Sequence, residues 1–178
     1  MSADHHDLET PSAWVVRWAG LVPAGGRVLD IACGNGRHAR YFAARGHSVE
    51  AVDRDPDKLA ALAGIPGISV RSADLESVPW PYEGERFAGI VVVNYLHRPL
   101  FPRLLAALAP GGVLIYETFA AGNERYGRPS NPAFLLKRGE LLEVVHGRLR
   151  VIAYEDIEVS DPRPAAVQRI CATDSSLP

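Results

Sequence analysis

The sequence predicts an α/β chain built on a doubly wound, mostly parallel, seven-stranded sheet with helices on both faces, and three observations carry that prediction. Short apolar, β-branched runs alternate with amphipathic helical segments through the first two thirds of the chain, the pattern of βαβ units. Phe87 to Val93 is apolar without interruption, as a strand covered on both faces must be. Val28-Leu29-Asp30-Ile31-Ala32-Cys33-Gly34-Asn35-Gly36 then Arg37-His38-Ala39 reads as a strand, a glycine turn and the start of a helix.

The elements follow in order. Trp14, Val15, Val16, Trp18 and Leu21 form a short helical segment that Gly20 and Pro23 end. Strands are expected near Arg27–Ile31, His47–Val52, Ile68–Arg71, Phe87–Val93, Val113–Tyr116, Arg150–Ile157 and Val167–Ala172. Between them, helices run from Arg37 to Arg45, stopped by Gly46, and from Asp55-Pro56 to Gly64, with proline in the first turn. A third places Leu100, Leu104, Leu105 and Leu108 on one face of Pro99–Leu108, before Ala109-Pro110-Gly111-Gly112 breaks it. Residues 119–137 lack periodicity and read as a long functional loop, and a short helix spans Gly139–Val145. We read one domain over residues 1–178, with 1–24 as an N-terminal helical cover and 119–137 as a lid on the substrate side.

Open α/β sheets bind ligands outside the carboxyl ends of their strands, where the strand order reverses. The glycines at 34 and 36 let the chain turn tightly and approach a ligand, and the following helix points free N–H groups at it. Asp53, nineteen residues after Gly34, closes the second apolar run and is placed to accept two hydrogen bonds from ribose hydroxyls. This reads as a nucleoside-binding crevice. Gly34-x-Gly36-x-x-Ala39 also fits the loose dinucleotide fingerprint. However, Asp30 at a strand's carboxyl end suits a cationic amino group better than a pyrophosphate, and the chain has no room for a dehydrogenase substrate domain. Asp30, Asp53, Asp74, Asn94 and Glu117 close five different segments along the same sheet edge.

The hydrophobic strand followed by Asp30 and Gly34-x-Gly36 resembles motif I of the class I S-adenosylmethionine-dependent methyltransferases. Over roughly residues 25–172, including Tyr116-Glu117-Thr118-Phe119 and the loop Arg125-Tyr126-Gly127-Arg128-Pro129-Ser130-Asn131-Pro132, the chain is similar to the small bacterial TehB-like, tellurite-resistance-type group. The resemblance implies a Rossmann-like sheet whose last strand is antiparallel. It also implies that S-adenosyl-L-methionine is the cofactor, held by Asp30, Ala32, Gly34, Gly36, Arg37, Asp53, Arg54, Asp74, Leu75 and Asn94. Asp30 would face the methionine ammonium, Asp53 the ribose, Asp74-Leu75 the adenine, and Asn94 the amino-acid end. Arg54 fits either a ring-stacking role or a solvated surface position.

Methyl transfer from a sulfonium is an in-line displacement in which alignment supplies most of the gain. An oxygen or nitrogen acid as acceptor gains from a base, whereas a soft anion needs none. Tyr95 and His97 are the candidate proton-transfer groups, His97 reading equally as a residue at a helix N-terminus. Asn94-Tyr95-Leu96-His97 differs from the Asn/Asp-Pro-Pro-Tyr/Phe of amino-nitrogen base methyltransferases. Tyr126 and Arg128, with Arg125, either read an anionic group on a small acceptor or only pin the loop through ion pairs. A cofactor-sensing regulator and a small NAD(P)-binding oxidoreductase are the alternative functions.

Length bounds the chain at one domain burying ~70% of its unfolded surface. A net charge of −2 over 178 residues, with no Lys/Arg run longer than two, argues against a nucleic-acid partner. Small-molecule substrate, no membrane, a cytoplasmic location and a monomer or homodimer are expected from the lack of an apolar leader or span. Cys33 and Cys171 read as free thiols, no metal-ligand spacing is visible, and His5, His6, His38, His47 and His146 read as surface residues. Trp14, Trp18 and Trp80 read as core or cover.

Overall fold

The computed structural model describes residues 9–174, so His5 and His6 lie outside the described residues. Seven strands form one sheet: β1 Val28–Ile31, β2 Val49–Asp53, β3 Ile68–Ser72, β4 Phe87–Val93, β5 Leu108–Phe119, β6 Arg150–Val159 and β7 Ala165–Thr173. Their order is β3-β2-β1-β4-β5-β7-β6. The first five run parallel, and β7 is antiparallel to both β5 and β6. This is the Rossmann-like α/β sheet expected, with the last strand reversed. The order reverses between β1 and β4, which leaves a crevice beyond the carboxyl ends of those two strands.

Each face of the sheet has its own core. One packs α1 (Ala13–Trp18), α2 (Arg37–Ala43) and α3 (Pro56–Ala60) through Trp14, Val15, Ala39, Phe42 and Leu59 onto Val28, Val49, Val91 and Ile115. The other packs α4 (Phe101–Ala106) and α5 (Glu140–Val145) through Phe101, Leu104, Leu141 and Val145 onto Leu29, Ile90, Leu114 and Ile170. Strands buried on both sides explain the uninterrupted apolar run of β4, whose exposure never rises above the half-buried level of Ala88.

The local sequence sets the helix starts. Asp55 caps α3, its carboxylate accepting from the Asp57 and Lys58 amides at 3.1 and 3.5 Å, with Pro56 at the first position. The α2 cap is Gly36 at φ +76°, where a Cβ would lie 2.4 Å from both methyls of buried Leu62. Gly36 therefore answers both a left-handed backbone and a packing contact.

Three expectations need correction. The Ala109–Gly112 segment does not separate helix from strand. β5 begins at Leu108, opposite Phe87, and the register resumes only at Val113 opposite Gly89, so the residues between bulge out of the ladder. His38 and His47 are buried, not at the surface. His38 Nε2 accepts the Ser12 amide at 3.1 Å, and His47 Nδ1 lies 2.9 Å from the Gly26 carbonyl oxygen. Glu117 is not a crevice group, because successive strand side chains point to opposite faces. It lies under α1, accepting from the Ser12 hydroxyl at 2.7 Å and pairing with Arg169 at 2.5 Å, while Arg169 also reaches Glu155 at 3.1 Å.

That network ties the start of α1 to β5, β7 and β6, and losing Glu117 leaves the half-buried Arg169 charge to Glu155 alone among these partners. Glu117→Ala is expected to lower unfolding stability by about 3 kcal/mol, measured by denaturant titration; a loss below about 0.5 kcal/mol would match a solvated pair instead.

Asp30 and His38 make an opposed pair of titrations. Burial raises the Asp30 carboxyl from 3.8 to about 7. Burial, helped by Arg37, lowers His38 from 6.5 to about 3. Folded Asp30 holds a proton that the unfolded chain loses, so its contribution to stability falls as pH rises from about 4 to 7. Folded His38 lacks a proton that the unfolded chain holds, so its contribution rises between about pH 3 and 6.5. The two cancel over most of that window. Asp30→Asn removes the first alone. Relative to wild type, its stability is expected to climb by about 1.4 kcal/mol per pH unit between pH 4.5 and 6.5. Parallel stability–pH curves for the two proteins would contradict this.

Candidate active site

The crevice holds a cavity of about 540 Å³, a size that suits a nucleoside-sized ligand. Its walls come from strand ends in spatial order. Beyond β3 stand Ala73, Asp74, Leu75 and Glu76, and beyond β2 Asp53 and Arg54. Ala32 follows β1, Asn94, Tyr95 and Leu96 follow β4, and Thr118 and Phe119 close β5. Lys58 on α3 and Pro129 and Phe134 on the 119–137 loop complete it.

Ala32 and Asn94 have φ of +51° and +57°, the two non-glycine residues in the left-handed region among the described residues. They sit at the ends of the two strands that flank the switch in order. Strained backbone of this kind concentrates at functional sites. The first lies in a turn tied down by the Cys33 amide on the Val52 carbonyl oxygen at 3.0 Å, the second in one tied by the Asn94 amide on the Glu117 carbonyl oxygen at 2.9 Å.

Asp53 joins the glycine turn to the end of β2. Its Oδ2 accepts the Gly34 amide at 2.8 Å and its Oδ1 the Asp55 amide at 3.0 Å. Each oxygen keeps a lone pair for a ligand hydroxyl. A Cβ at Gly34 would meet nothing within 4 Å, so the space beside the turn is open. Asp74 is held below the usual carboxylate range by the Glu76 amide and the Ser77 hydroxyl.

Of the residues singled out in the sequence, Ala32, Asp53, Arg54, Asp74, Leu75, Asn94 and Tyr95 line the cavity together. Asp30 lies behind the glycine turn instead, 1% exposed, hydrogen-bonded to the Ala39 backbone at the start of α2, with Oδ2 buried and unpartnered. Gly34, Gly36 and Arg37 shape the turn without lining the cavity, and the Arg37 guanidinium donates to the Thr10 carbonyl oxygen at 3.1 Å.

The proposed proton-transfer groups fare differently. Burial, then Glu76, holds the Tyr95 phenol well above its usual range, so it is a hydrogen-bond donor and a poor base. His97 stands just outside the cavity lining, its Nδ1 4.0 Å from Glu76 Oε2. Tyr126 is turned away: its hydroxyl donates to Glu158 on β6 at 2.6 Å, and Arg125 pairs with the same carboxylate. Charge pairing along the outer strand thus wins over the inward pose. Arg128 lines a shallower recess with Ser130 and Asn131 that shares Pro129 and Phe134 with the main cavity.

Among the lining residues to which the sequence reading gave no site role are Lys58, Ala73, Glu76, Thr118 and Phe134. Thr118 was recoverable from the alternation that turns Glu117 to the opposite face. Phe134 was not, because its place depends on Arg98, which donates to the Ala133 and Leu135 carbonyl oxygens on either side of it, both at 2.8 Å.

Comparison with known proteins agrees with this geometry. Residues 28–112 match the family model of a methyltransferase domain. Trans-aconitate 2-methyltransferase of Rhizobium meliloti is 37% identical over 98 residues, 52% of this chain and 38% of that protein. The enzyme of the same name from Delftia acidovorans is 30% identical over 156 residues, 79% of this chain and 58% of that protein. The chain thus spans about two fifths of the length of the first of these relatives. Among solved structures, TehB from Haemophilus influenzae superposes with a TM-score of 0.73 at 19% identity, covering 98% of this chain and 63% of that one. An S-adenosylmethionine-dependent methyltransferase from Mesorhizobium loti superposes at 0.70 with 20% identity, covering 97% of this chain and all (100%) of that one. The family-model match spans residues 28–112, which include the glycine turn and the first four strands, and the solved methyltransferase structures share the fold of the chain.

Proposed function

We propose that the chain transfers a methyl group from S-adenosylmethionine to a small molecule. The observation that supports this best is one continuous cavity running along the strand ends in the order β3, β2, β1, β4, β5, with Asp53 at the end of β2. The residues present fit the cofactor. Leu75 offers an apolar surface and Asp74 an acceptor where an adenine would lie, and Asp53 is the residue that would accept ribose hydroxyls. The buried, unpartnered Asp30 oxygen behind the turn gives a cationic amino group an electrostatic partner.

Bound there, the cofactor supplies a methyl group on a sulfonium that is its own leaving group. The chain's part is placement: Asn94 and Thr118 orient polar atoms, and Leu96, Phe119 and Phe134 exclude water from the acceptor end. Tyr95 is held protonated and does not serve as a base, which favours an acceptor already nucleophilic at neutral pH. A soft nucleophile or an anion such as a thiolate, oxyanion or carboxylate meets that requirement. We place 119–137 as the substrate-side lid and, of the N-terminal segment, the described residues from 9 to 24 as a helical cover.

Calorimetric titration with S-adenosylhomocysteine is expected to show binding to the wild type, with none for NADH. Asp53→Ala should weaken it by about 1–3 kcal/mol through lost charge-assisted bonds. Binding of NADH alone, or an unchanged affinity in the variant, would remove the assignment. A methyl-transfer screen of small thiols, oxyanions and carboxylic acids then identifies the acceptor; turnover of none of them, with the cofactor product bound, would leave a cofactor sensor.

A further inference from the structure

The turn after β4 is shaped from outside its own sequence. Asn94 holds φ +57° and Tyr95 follows it into the cavity wall. Two bonds from β5 fix them: the Glu117 carbonyl accepts the Asn94 amide at 2.9 Å, and the Tyr116 hydroxyl donates to the Tyr95 carbonyl oxygen at 2.7 Å. Tyr116 itself is 2% exposed, lies opposite Val92 in the ladder, and packs its ring on Phe101 of α4 with centroids 6.0 Å apart. It does not line the cavity.

The order of strand ends says which part of a ligand this turn meets. With a ribose on Asp53 at β2 and a base toward Asp74 and Leu75 at β3, the remainder extends the other way, over Ala32 and then Asn94 and Tyr95. Resting on the cofactor assignment above, we infer that Tyr116 is a positioning residue for the amino-acid end of the cofactor, acting through the Tyr95 carbonyl to hold the β4 turn in its binding shape. Removing the hydroxyl leaves the part-buried Tyr95 carbonyl oxygen without this partner and frees the turn to leave the left-handed conformation.

The test compares two probes, S-adenosylhomocysteine and 5′-methylthioadenosine, which share the nucleoside and thioether but differ in the amino-acid group. For Tyr116→Phe, the dissociation constant of S-adenosylhomocysteine is expected to rise roughly tenfold, with that of methylthioadenosine within about twofold of wild type. A purely structural role would lower the melting temperature and shift both constants together or neither; either pattern overturns the inference. Should the variant not fold, carbonyl-carbon NMR on the wild type gives the same reading. The Tyr95 carbonyl is expected to shift with S-adenosylhomocysteine and not with methylthioadenosine, and equal responses overturn the inference. Failure of the wild type to bind S-adenosylhomocysteine would instead overturn the cofactor assignment, and this inference with it.

Discussion

The hydrogen bond from the Gly34 amide to Asp53, 2.8 Å long, is the contact on which the site depends. It ties the turn leaving β1 to the end of β2, so the floor of the crevice and its principal acceptor are set by one carboxylate. The glycine turn can offer that amide because φ is +56° at Gly34 and +76° at Gly36. Asp55 adds its own amide to the other Asp53 oxygen before capping α3. One short stretch of β2 and its following turn thus organises the turn, the helix and the ligand-facing carboxylate together.

Charge is distributed around this contact in a consistent way. Asp53 lies at the cavity with a backbone N–H group on each oxygen. Asp30, one strand away, has lost nearly all solvent and is pushed up to about 7. The two aspartates of the first strand pair therefore differ in kind: one lines the cavity, and the other lies behind the turn as a buried group with an unpartnered oxygen. The loop arginines follow the same logic of local pairing, since Arg125 is drawn to Glu158 and Arg98 to Glu140 at 2.6 Å.

Much of this was legible in the sequence because it depends on period and punctuation. Glycine, proline and the run Phe87–Val93 marked the parallel units within a few residues, and the residues at the carboxyl ends of β1 to β4 converge on one cavity. What was not legible depends on contacts distant in the chain. Glu117 faces Ser12 and Arg169, an outcome fixed by which side of β5 α1 covers. His38 and His47 are buried by their backbone partners in residues 12 and 26. The loop from 119 to 137 showed no periodicity, yet buried Asn123 binds the Pro129 carbonyl and the Ala166 amide, and an isolated bridge pairs Ala120 with Leu136. Such order comes from single polar side chains, which leave no pattern to read.

A diffraction structure of the chain with S-adenosylhomocysteine bound tests the account most directly. It should place the ribose hydroxyls on the Asp53 carboxylate, the base against Leu75 and the amino-acid group over Ala32 and Asn94. Density for the ligand outside this crevice, or lying within it in the reverse direction, would contradict the account.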